Sequence, residues 1–127
     1  MHAEKPLLLV VDDDVDACHN LADILDDLGY RADVAHDGRS ALEMIRKHPY
    51  RVAVLDYRMP GMDGLTLCRE VRKLCADTVA IIVTAYAGGI GSEQFLDAGA
   101  KLVLRKPVDV REFLDVVRQF LAPSDAV

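Results

Sequence analysis

Leu7-Leu8-Leu9-Val10-Val11 runs without a break into Asp12-Asp13-Asp14. Five apolar residues in a row, with no alternation, read as a strand buried on both faces, the mark of a parallel sheet. The acids that follow cannot share that burial, so they stand at the strand's carboxyl end. Three further runs have the same character: Arg51-Val52-Ala53-Val54-Leu55, Val79-Ala80-Ile81-Ile82-Val83 and Leu102-Val103-Leu104. Arg31-Ala32-Asp33-Val34-Ala35 differs because polar residues interleave with apolar ones, which predicts an edge strand.

Between these runs the spacing is helical. Ala17, Leu21, Ile24, Leu25 and Leu28 share one face, with Gly29 at the place of a C-terminal cap. Ala41, Leu42 and Ile45 mark a helix closed by Pro49, and Leu67, Val71 and Leu74 mark one opened by Asp63-Gly64. Val110, Phe113, Leu114, Val117 and Leu121 follow Asp109 and Glu112, a capping-box variant. The weakest helix lies between Ile90 and Ala98, entered through Ala87-Gly88-Gly89-Ile90-Gly91, whose glycines raise the entropy cost of ordering. Five strand-then-helix repeats with short connections predict one parallel α/β sheet with helices on both faces.

The 127 residues suit one domain, 7–121, with a polar leader over 1–6 and a tail or linker start over 122–127. At 51% apolar and 28% charged, the chain is neither disordered nor fibrous. Twenty-one acids against 15 bases give a net charge of -6, which argues against a nucleic-acid or anionic-membrane surface. Cys18, Cys68 and Cys75 form no C-x-x-C pair, so a reducing cytoplasm is the expected setting. The longest apolar run is far short of the ~20 residues that cross a bilayer.

In a doubly wound sheet, ligands bind beyond the carboxyl ends of the strands. Those ends carry Asp12, Asp13 and Asp14, then Asp56, then Thr84, then Arg105-Lys106-Pro107. Clustered carboxylates repel unless a cation shares them. An all-oxygen set without histidine or cysteine suits a hard ion, and few carboxylates plus waters suit Mg2+, with Mn2+ as a substitute. Such an ion beside a carboxylate, a hydroxyl and a lysine is equipment for phosphoryl transfer.

The chain resembles the receiver domain of bacterial two-component response regulators from about Leu7 to Leu121. The resemblance is carried by Val10-Val11-Asp12-Asp13-Asp14, by Val54-Leu55-Asp56-Tyr57-Arg58-Met59-Pro60-Gly61-Met62-Asp63-Gly64, by Ile82-Val83-Thr84-Ala85, and by Gly99-Ala100 leading to Lys106-Pro107. It implies a flavodoxin-like sheet of order 2-1-3-4-5 with Asp56 as phosphoacceptor. Asp13 would bind Mg2+ directly, Asp12 would assist through water, and the backbone carbonyl of Arg58 would complete the set. Lys106 would pair with one phosphoryl oxygen, and Thr84 with another, supported by the Ala85 amide. The bond before Pro107 would be cis. The implied donor is a sensor histidine kinase or phosphotransfer protein. The implied readers are a downstream effector or linked output domain, or a phosphorylation-dependent dimer, through the face of the fourth helix, fifth strand and fifth helix.

Three departures from the family pattern stand out. Val103 occupies the place of an inward-turning aromatic, which weakens that part of the switch. The glycines from Ala87 to Gly91 predict a mobile start to the fourth helix, ordered by phosphorylation. Arg58 and Tyr86, two places beyond Asp56 and Thr84, predict partial shielding of the acyl phosphate from water.

Plainer readings apply elsewhere. Asp14 and Asp16 suit a helix start, and Asp12, Asp14 and Asp16 fail as a calcium loop because Ala17 replaces the turn glycine. His2, His19, His36 and His48 look scattered and without partners at a strand end. Cys68 and Cys75 suit the core, as does Phe113, whereas Phe120 suits a partner-facing surface. Two other functions compete: a Mg2+-dependent phosphatase of haloacid-dehalogenase type using Asp12 and Asp14, and a pseudo-receiver that only binds. The first lacks the usual length and cap, and the complete set of Asp12, Asp13, Asp56, Thr84 and Lys106 argues against the second.

Overall fold

A computed structural model describes residues 7–85 and 92–121. Its elements alternate as β1 (Leu8–Val11), α1 (Val15–Asp27), β2 (Ala32–Ala35), α2 (Gly38–Lys47), β3 (Val52–Asp56), α3 (Gly64–Leu74), β4 (Val79–Thr84), α4 (Ser92–Asp97), β5 (Ala100–Arg105) and α5 (Val110–Leu121). The strands form one parallel sheet in the order β2-β1-β3-β4-β5.

The period of two within each strand sorts its side chains onto two faces. Leu9, Val11, Ala53, Leu55, Ala80 and Ile82 join Ala41, Ile45, Leu67, Val71 and Phe95 under α2, α3 and α4. Leu8, Val10, Val52, Val54, Ile81 and Val83 join Cys18, Leu25, Phe113 and Val117 under α1 and α5. Burial of both sets is why β1, β3 and β4 read as unbroken apolar runs.

β5 agrees with the implied order 2-1-3-4-5 but corrects the reading of Leu102-Val103-Leu104 as buried on both faces. It lies at the second edge of the sheet, with Ala100 and Leu104 buried but Lys101 and Arg105 exposed. With one neighbouring strand, it is covered only where helices reach it. α1 is also rotated from expectation: Cys18 and Leu25 are buried and Leu21 is half-buried, while Ala17, Ile24 and Leu28 are exposed. Val110 is likewise exposed. In both helices the sheet covers a narrower stripe than the apolar residues span. Phe120 packs half-buried against the α1/α5 core, and Cys75, unlike Cys68, is only half-buried.

Aspartates open most of these helices. The carboxylates of Asp14, Asp37 and Asp63 accept hydrogen bonds from the amides of Ala17 (3.1 Å), Ser40 (2.7 Å) and Thr66 (2.8 Å). Asp109 accepts from Arg111 at 2.8 Å and Glu112 at 3.4 Å. Each such cap contributes about 1 kcal/mol. α1 ends in a Schellman turn: Gly29, at φ 93°, donates to Asp26, and Tyr30 donates to Leu25.

Candidate phosphoryl and metal site

The site is assembled by the ends of β1, β3, β4 and β5. Parallel pairing sets Val11 opposite Leu55, Asp56 opposite Val83 and Thr84 opposite Arg105. The residues that end or follow these strands therefore emerge along one rim. The Gly64 amide donates to the Tyr57 carbonyl at 2.8 Å. A Cβ at Gly64 would meet the Asp56 carbonyl oxygen at 2.5 Å, so glycine is what lets α3 start against the end of β3.

Side-chain oxygens of Asp12, Asp13 and Asp56 lie within 4.8 Å of one another. Asp56 is buried at 7% exposure, and Asp13 is exposed. Lys106 Nζ lies 2.8 Å from Asp56 Oδ1 and 3.8 Å from Asp12 Oδ2. The other Asp12 oxygen accepts a hydrogen bond from the Asp14 amide at 3.0 Å. Burial, foremost, pushes the Asp12 carboxyl above its ordinary range, with the charges of Asp56 and Asp13 adding to it against the Asp14 amide and Lys106. For Lys106, burial is the largest influence and acts downward. The hydrogen bond and charge of Asp56, then Asp12 and Asp13, outweigh it and leave the ammonium above its usual range.

Thr84 is buried at 4% exposure, and its carbonyl accepts the Lys106 amide at 2.9 Å. Ala85, Asp12, Asp56, Lys106 and Pro107 border one cavity of about 560 Å³. The Lys106-Pro107 peptide is cis. Arg58 is exposed in the loop after β3. Val103 is half-buried in the core beneath α2, α3 and α4. Tyr86 and the segment from Ala87 to Gly91 lie outside the described residues.

The donor set fits Mg2+. It is all oxygen, and its span is near the ~4.2 Å separating opposite ligands of an octahedral Mg2+. Asp14 does not join it, because its carboxylate caps α1. That removes one member of the Asp-x-Asp pair on which the phosphatase reading depended.

The sequence reading missed three contacts near the site. Tyr57 and Phe95 meet edge to face, with ring centroids 5.1 Å apart, linking the residue after Asp56 to α4. An aromatic directly after Asp56 was its only signal. The expectation of partnerless histidines is also corrected: His36 follows β2, its Nδ1 lies 3.2 Å from the Asp12 carbonyl oxygen, and its ring lies 5.4 Å from that of His19. Residues 17 apart in sequence give no such signal until strand and helix are packed.

Comparison with known proteins agrees with this geometry. The family model for the response regulator receiver domain matches residues 8–118. Response regulator MprA of Mycobacterium tuberculosis is 38% identical over 122 residues, covering 94% of this chain and 53% of that protein. The chain spans between about a quarter and half of the length of the curated relatives it matches. The CheY-like receiver domain protein of Methanospirillum hungatei superposes with a TM-score of 0.85 at 30% identity, covering 91% of this chain and 93% of that one. Chemotaxis protein CheY4 of Vibrio cholerae gives 0.84 at 27% identity, covering 93% and 100%. With the rim of aspartates, threonine and lysine already in place, the match over nearly the whole sheet shows that the chain belongs to the response regulator receiver domain family of two-component signalling.

Proposed function

We propose that the domain, over residues 7–121, is a phosphoacceptor switch whose reactive group is the Asp56 carboxylate. The observation that carries this reading is the 2.8 Å pairing of Lys106 with Asp56 inside the three-aspartate cluster. An Asp56 oxygen attacks the phosphorus of a phosphohistidine on a sensor kinase or phosphotransfer protein. The phosphorus–nitrogen bond breaks, the histidine leaves with the electron pair, and an acyl phosphate remains. Asp12, Asp13, Asp56 and the Arg58 carbonyl would hold Mg2+, which supplies charge neutralisation for the transferring group. Lys106 and Thr84, with the Ala85 amide, bind the phosphoryl oxygens.

Phosphorylation adds acceptor oxygens and charge beside Thr84 and Lys106, and their movement shifts the α4-β5-α5 face between two packed arrangements. With Val103 at the usual aromatic position, the Tyr57–Phe95 contact offers another mechanical link to α4. Apart from its own phosphorylation and dephosphorylation, the domain catalyses no reaction. Its partners are a cytoplasmic kinase or phosphotransfer protein and an effector, output domain or second copy. Among the described residues no helix is long and apolar enough to cross a membrane.

The test is incubation with Mg2+ and a small acyl-phosphate donor, followed by intact-mass measurement. One added phosphoryl group, absent from Asp56→Asn, is expected; equal labelling of that variant overturns the assignment.

A further inference from the structure

His19 on α1 and His36 after β2 bring their rings to a centroid separation of 5.4 Å, tilted by 52°. Two imidazoles bound through nitrogen to one metal, at bonds near 2.0–2.1 Å, place their centroids about 5.2 Å apart at a tetrahedral angle. At the right angle of a square-planar ion the separation falls to about 4.5 Å. The observed spacing lies within reach of one shared tetrahedral ion, as it does of an ordinary ring contact.

A second observation concerns His36 alone. Its Nδ1 lies 3.2 Å from the backbone carbonyl oxygen of Asp12. A carbonyl only accepts, so this contact favours the tautomer with the proton on Nδ1 and leaves Nε2 as a lone-pair donor. Metal-ligating histidines are commonly oriented by such a bond from the other ring nitrogen. His36 is half-buried and His19 exposed, so one ligand is held while the other can adjust and water can complete the shell.

We infer that His19 and His36 form a binding site for a tetrahedral, nitrogen-preferring divalent ion, Zn2+, separate from the all-oxygen site of Asp12, Asp13 and Asp56. The two sites select by donor chemistry: imidazole suits Zn2+, and carboxylates with water suit Mg2+. They touch through Asp12, whose carbonyl holds His36 and whose carboxylate belongs to the acidic cluster.

The experiment is calorimetric titration of the full chain with ZnCl2 at pH 7.5 under saturating MgCl2. It includes His19→Ala, His36→Asn and the control His48→Ala. Asparagine at position 36 retains a group able to donate to the Asp12 carbonyl while removing the imidazole ligand. One Zn2+ per chain is expected for the unaltered protein and for His48→Ala, with affinity falling more than tenfold in both pair variants. Ring-nitrogen resonances of the unaltered protein should shift at His19 and His36 alone, a readout independent of how the variants fold. Absence of zinc binding, binding unchanged by both substitutions, or binding abolished by Mg2+ overturns the inference.

Discussion

The rim beyond β1 and β3 and the entrances of α2 and α3 are both built from aspartate, yet the acids do opposite work. At the helix entrances, Asp37 and Asp63 turn their carboxylates onto backbone amides that would otherwise lack partners. At the rim, Asp12, Asp13 and Asp56 face one another, and Lys106 is the nearby cation. The first group stabilises the fold and leaves the chemistry alone. The second crowds like charges together, with burial pushing the Asp12 carboxyl up, and under the proposed function it carries the chemistry. What a carboxylate does is set by the groups packed around it.

Three substitutions can break or sharpen that contrast. The largest expected effect is on chemistry: Asp13→Asn should slow Mg2+-dependent phosphorylation by about 10²–10³-fold, the scale of losing one stabilising group at a transition state. Its metal-free melting temperature should not fall. Stopped-flow phosphorylation and calorimetry measure the two quantities, and a large loss of stability with normal phosphorylation would reverse the assignment.

Asp37→Ala should do the opposite, costing about 1 kcal/mol of stability while leaving phosphorylation unchanged. The hydrogen bond from the Ser40 amide, foremost, holds the Asp37 carboxyl below its ordinary value of 3.8. Its stabilising contribution is therefore complete above that value and is lost as pH falls through the lower folded-state value. The gap between Asp37→Ala and the unaltered protein in urea midpoint should close in strong acid.

Asp12→Asn should raise the melting temperature in chelator, by roughly 3 °C. It removes a charge that burial already disfavours and that Asp56 and Asp13 repel. A lower melting temperature would show that the 3.8 Å approach of Lys106 outweighs that repulsion.

The smallest effect belongs to Cys18, beneath the cluster. Burial, then the charge of Asp12, pushes its thiol up to about 11. Asp12→Asn should speed its alkylation only about twofold, because burial dominates. Half-buried Cys75 should react before either Cys18 or Cys68.

Most of the site was legible because each member lies at, or just beyond, the end of a strand recognisable from composition alone. Val10-Val11 announces Asp12 and Asp13, Val54-Leu55 announces Asp56, and Ile82-Val83 announces Thr84. Lys106 was legible for the same reason, two residues past Leu104. The contacts of Tyr57 with Phe95 and of His36 with His19 and Asp12 were not, since each joins elements distant in the chain. The burial of β5 was misread because a run of three apolar residues does not say how much of a strand the helices cover.

The order of apolar runs and helical stripes by itself determined an alternating α/β chain, and the residue types at strand ends determined an oxygen-rich rim with a lysine and a threonine beside it. These are local properties, carried by periodicity and by the chemistry of single side chains. Only the tertiary structure decided which aspartates cap helices and which converge, how far α1 and α5 bury their apolar faces, and that two histidines meet beside Asp12. Those outcomes depend on strand register and helix rotation, which are set by packing across the whole sheet.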